Sequence, residues 1–109
     1  MHTIQGKSIG INDVMLDTYS RCVLEDGAQL TVEAGTNGYR GKGREAGGRT
    51  YIRLASGFGD FLFRPVKNSK GRIIGVEICG CGDAELDALV KALSFALKAL
   101  EDGRDEVDD

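Results

Sequence analysis

The stretch "AQLTVEAGTNGYRGKGREAGGRTYIRL", residues 28–54, holds two alternating segments separated by a glycine-rich, basic one. In residues 28–35, Leu30, Val32 and Ala34 point one way, and Thr31 and Glu33 the other. This is the period of a half-buried strand. In residues 49–54 the alternation returns, with Ile52 and Leu54 on one face and Arg49, Tyr51 and Arg53 opposite. Antiparallel strands following one another in sequence are the simplest arrangement for this pair.

Outward from this pair, "DFLFRPV" and "RIIGVEICGC" read as further strands around a "KNSKG" turn, with Ile74, Val76 and Ile78 sharing a face. Pro65 places the first of these at a sheet edge or strand end. "TIQGKSIGI" reads as short extended pieces, and a short helix is expected after Asn12. In "GDAELDALVKALSFALKALEDG", Leu86, Leu89, Val90, Leu93, Leu97 and Leu100 recur at helical spacing. Asp83 suits the N-cap, Glu85 and Asp87 suit the positive end of the dipole, and Gly103 suits the C-terminal stop. The expected class is α+β: an antiparallel sheet of about five to six strands covered by a C-terminal amphipathic helix. Residues 1–102 form one domain, and 103–109 an acidic, disordered tail.

Charge is distributed unevenly. The last nine residues, "EDGRDEVDD", carry a net −5, which leaves residues 1–100 at +2 against −3 for the whole chain. Residues 35–50 hold four basic groups against Glu45. A local basic loop on a near-neutral body points to a discrete anionic ligand rather than a long nucleic acid. No apolar run is long enough to span a bilayer, and "MHTIQGKSIG" lacks the apolar centre of a signal peptide. Three cysteines, Cys22, Cys79 and Cys81, fit a reducing compartment better than a disulfide framework.

"GKGREA", residues 41–46, matches a dinucleotide fingerprint in letters only, because a strand follows it instead of a helix. The loop itself has two readings. One is a plain basic hairpin connection, in which glycine supplies turn conformations. In the other, Arg40, Lys42 and Arg44 alternate with glycines so that N–H groups and cationic heads converge on one anion. Arg49 adds a guanidinium fork and Tyr39 a stacking face. Catalysis has less support. His2 is terminal, Asp60 and Asp83 have no evident partner, and Cys79 and Cys81 are read as buried apolar residues rather than metal ligands. No cofactor is expected.

Two stretches together resemble a phage protein family. "TNGYRGKGREAGGRTYIRL" is similar to the loop of the Thoeris anti-defence type I group, roughly T-T-G-F-x-G-G-D-S-G-H-G-G-R-T-Y-F. "VEICGCGDAELDALVKALSFALKALED" resembles that group's strand, Gly-Gly-Asp turn and Ala/Leu-rich helix, and "GFGDFLF" its Gly-Thr-Asp strand start. The resemblance covers about residues 28–102. It implies a homo-oligomer in the bacterial host cytoplasm that sequesters a cyclic ADP-ribose-type signal, or a cyclic oligonucleotide, without degrading it. Carried over position by position, Gly38, Tyr39, Gly41, Gly47, Gly48, Arg49 and Thr50 match the loop, and Asp60, Gly82, Asp83 and Glu85 the later motifs. The expected ligand-binding residues are Asn37, Tyr39, Arg40, Lys42, Arg44, Arg49, Thr50 and Asp60. The family's loop Asp and His fall on Gly43 and Ala46 here. That leaves open a shift toward a more highly charged nucleotide, or a different mode of binding. The alternatives are a small RNA- or single-strand-binding module and a protein inhibitor of a bacterial defence enzyme.

Overall fold

A computed structural model describes residues 4–11, 14–36 and 49–107. In chain order the elements are β1 (Ile4–Ile11), β2 (Val14–Glu25), β3 (Ala28–Thr36), β4 (Thr50–Phe58), β5 (Leu62–Lys67), β6 (Ile73–Cys79) and α1 (Gly82–Val107). The class is α+β. All six strands pair antiparallel, but they divide into a sheet of order β1-β2-β3-β4 and a separate β5-β6 hairpin.

No helix follows Asn12. Ile11 pairs with Val14, and the chain continues as β2. The period along β2 is two: Leu16 and Thr18 are buried, while Met15, Asp17 and Tyr19 are exposed. That alternation suits a strand and leaves no helical stripe to bury. Asp26 and Gly27 turn the chain into β3, with Gly27 at φ 90°, where a side chain would be strained.

Val23, Leu30, Val32 and Ala34 face α1 and form the core with Ala88, Ala92 and Ala96. Burying each larger aliphatic side chain contributes about 1.5–3 kcal/mol. The sheet-facing side of α1 is therefore its alanine row. Leu89 and Leu100 pack against the core as expected, but Leu86, Val90, Leu93 and Leu97 do not cover the sheet. They lie on the far side, 50–59% exposed. Size decides this choice, because alanines spaced four apart let the helix axis approach the sheet more closely than leucines would. Lys91 Nζ reaches Glu25 Oε2 at 2.6 Å and ties the helix to the end of β2.

Glu85, not Asp83, serves the start of α1. Its buried carboxylate accepts the N–H of Cys81 at 2.6 Å and also the N–H of Asp60. One side chain thus joins the β4–β5 connection to the β6–α1 turn, in the reach-back manner of a capping box. At the other end the helix does not stop at Gly103 but continues to Val107, so residues 103–107 are helical rather than part of a disordered tail. Gly103 faces Thr36, and its lack of a side chain serves close packing instead of termination.

The β5–β6 hairpin is closed by Asn68, whose Oδ1 accepts the N–H groups of Lys70 and Arg72 at 2.9 and 3.1 Å. Arg64 and Glu77 pair across one face at 2.6 Å. Among the described residues no layer covers this hairpin, and Cys79 and Cys81 are exposed, not buried as the sequence suggested. Among the described residues, no helix is long and apolar enough to cross a membrane.

Candidate functional site

The basic stretch leaves β3 after Thr36 and returns at Arg49 and Thr50. Its two ends meet in register: Thr36 pairs with Thr50 and Gly35 with Tyr51. The hydroxyls of Thr36 and Thr50 lie 2.9 Å apart and share a hydrogen bond. β-Branched threonines favour the strand here, and their hydroxyls bond across the pair. Asn37, Tyr39, Arg40, Lys42 and Arg44 fall outside the described residues. Gly43 and Ala46, the departures from the family loop, do too.

Arg49 is half-buried beside this root, with its Nε enclosed by protein. A partly desolvated guanidinium attracts an anion more strongly than one free in solvent. Arg21 on β2 also has an enclosed Nε, without a hydrogen-bond partner among the described residues. Thr50 is exposed, and its hydroxyl closes the loop as described.

Two glycines place the root. At Gly35 a Cβ would lie 2.1 Å from Asp17 O and 2.8 Å from Thr18 Cα, so only glycine lets β2 come this close to β3. At Gly103 a Cβ would lie 2.8 Å from Thr36 Cγ2. The late helix therefore abuts the final residue of β3, and Arg104 follows directly on the helix. The contact of Thr36 with Gly103 escaped the sequence reading, which took the glycine for a helix stop. Its signal is tertiary contact across more than half the chain, which no local pattern carries.

The face away from α1 holds a buried polar pair, with Thr18 Oγ1 donating to Glu33 Oε2 at 2.6 Å. Arg53 stands directly across from Glu33 in the β3–β4 register. The alternation that put Glu33 opposite Val32 was legible, but its burial was not.

Asp60 does not join Arg49 and Thr50. β4 runs from Thr50 to Phe58, a span of roughly 27 Å at about 3.4 Å per residue, and Asp60 lies two residues beyond its end. Asp60 is exposed, and its backbone N–H is engaged by Glu85. Arg49 and Thr50 are thus brought together, and Asp60 belongs to the other end of the sheet. Among the described residues no three His, Cys, Asp or Glu side chains cluster in a way that holds a metal ion.

No family model matches this chain, nor does any curated protein or solved structure.

Proposed function

We propose that this chain is a phage or prophage anti-defence protein that binds a cyclic nucleotide immune signal and sequesters it without cleavage. The signal would be of the cyclic ADP-ribose type or a cyclic oligonucleotide. The observation that carries this reading is the fastened root of the basic loop. Thr36 and Thr50 hold its ends together, and half-buried Arg49 stands beside them. Between those ends the sequence supplies Arg40, Lys42 and Arg44 among glycines. Bare backbone N–H groups approach a phosphodiester closely, and the guanidinium forks neutralise it.

Sequestration requires affinity alone. Three or four charge-assisted hydrogen bonds at about 1.5–3 kcal/mol each support sub-micromolar binding after ordering costs. Asn37 and Tyr39 would shape the pocket around the base. A ligand held by both Arg49 and Asp60 would have to bridge two copies of the chain, because β4 keeps those two residues apart within one copy. The working place of such a protein is the bacterial host cytoplasm.

Native mass spectrometry with a panel of cyclic ADP-ribose isomers and cyclic di- and trinucleotides tests this reading. The expected result is one ligand class bound at fixed stoichiometry and released with unchanged mass. Absence of binding to all of them, or release of a hydrolysed product, overturns it. Binding of linear RNA with a steep salt dependence would favour the single-strand module instead.

A further inference from the structure

Cys79 and Cys81 stand on either side of Gly80, and both residues are exposed. Position 80 itself faces inward. A Cβ there would lie 3.1 Å from Glu85 Cβ and 3.3 Å from Phe61 Cε1, so a side chain would press on the start of α1. The backbone on each side is anchored. Cys79 ends β6 in register with Leu62, and Cys81 donates its N–H to Glu85 Oε1 at 2.6 Å. The Cys79 thiol leans along the chain, with its Sγ 3.8 Å from the carbonyl oxygen of Gly80. Cys22 is placed differently: it is half-buried, and its sulfur accepts a hydrogen bond from Gln29 Nε2 at 2.9 Å.

We infer that Cys79 and Cys81 form a dithiol that exchanges with small disulfides and closes reversibly into a bond between the two. One thiolate attacks a sulfur of the small disulfide, forms a mixed disulfide and releases one small thiolate. The neighbouring thiolate then attacks the protein sulfur of that mixed disulfide and releases the second. The two protein thiol protons pass to the two released thiolates. The protein loses two electrons, and the small disulfide gains them. Reach is sufficient for closure. Residues two apart are separated by at most about 6.8 Å at about 3.4 Å each, and disulfides bridge Cα separations of about 4.4–6.8 Å. Exposure leaves both sulfurs open to attack. A ring that encloses only Gly80 restricts the unfolded chain little, so the bond adds little stability. Exposed and tightly closed disulfides are also the readily reduced ones. The pair is thus a reversible modification site and not a structural crosslink. It involves neither the basic loop nor Arg49, and it stands apart from the nucleotide reading.

The test treats the full chain, fully reduced and then freed of reductant, with glutathione disulfide. Free thiols are counted, intact mass is measured, and any bond is located by peptide mapping without reduction. Wild type is compared with Cys22→Ser, Cys79→Ser and Cys81→Ser. Serine is close to cysteine in shape, so each variant should keep the wild-type circular dichroism spectrum. The expected wild-type product keeps one of its three thiols, is lighter by two hydrogens, carries no glutathione and reverts with dithiothreitol. Cys22→Ser should close the same bond. Cys79→Ser and Cys81→Ser cannot close it, and each should instead retain one glutathione on its remaining exposed cysteine. A wild type that keeps all three thiols overturns the inference. So does one that stops at glutathione adducts, or whose bond joins two chains or includes Cys22.

Discussion

Gly103 of α1 lies against Thr36, the last residue of β3: a Cβ on the glycine would stand 2.8 Å from Thr36 Cγ2 and 3.0 Å from its carbonyl oxygen. This contact sets two effects against each other. In an open helix, Gly→Ala stabilises by about 1 kcal/mol. Here the added methyl presses on the loop root, and overpacking of this kind costs about 1–3 kcal/mol. Gly103→Ala should therefore lower the melting temperature. Combining it with Thr36→Ser, which removes Cγ2, should recover part of the loss. A melting temperature that rises in the single variant would show that helix propensity dominates.

Gly35→Ala should be more damaging. The colliding atoms at 2.1 and 2.8 Å belong to the backbone of Asp17 and Thr18, so no side chain can rotate away. The strands must separate, with an expected loss near the upper end of about 1–3 kcal/mol. The urea midpoint measures it. Gly71→Ala is the control, because that site at φ 81° has open space around it and carries only conformational strain, about 1–2 kcal/mol.

Glu85 offers a graded test. Its two carboxylate oxygens serve the N–H groups of Cys81 and Asp60. Glu85→Ala leaves both without that acceptor, and each costs about 1–3 kcal/mol. Glu85→Gln keeps one acceptor and should lose about half as much. Equal unfolding midpoints for the two variants would remove this clamp from the account.

Arg49→Ala should abolish nucleotide binding while leaving the circular dichroism spectrum unchanged. Arg49→Lys retains the charge but not the planar fork. It should weaken binding by roughly 10- to 100-fold, the equivalent of one charge-assisted hydrogen bond. Isothermal titration measures both. Undiminished affinity in a folded Arg49→Ala protein would eliminate the role given to this residue.

The alternation of Leu30, Val32 and Ala34, and of Ile52 and Leu54, was enough to place β3, β4 and the loop between them. Helix α1 was equally legible in its existence, but not in its orientation. Hydrophobicity ranks leucine above alanine, whereas close approach to the sheet selected Ala88, Ala92 and Ala96. The short helix after Asn12 was wrong for a related reason. The Asp26-Gly27 pair, a strong hairpin signal, was overlooked, and with it the long β2 strand that it terminates. At the site, Arg49 and Thr50 could be read because they flank the loop in sequence. Asp60 entered the expected site only through the family resemblance, and the extended β4 strand carries it toward the other end of the sheet.

The bonded threonines at the loop root also bear on how such a protein diversifies. Thr36 and Thr50 fix the two ends in strand register, so the pairing of β3 with β4 depends on the separation of those ends. On the proposed reading, the sequence between them is an exchangeable cassette. Its cations, length and glycine placement are free to change under selection for a new ligand while the core of Val23, Leu30, Val32 and the helix alanines stays the same.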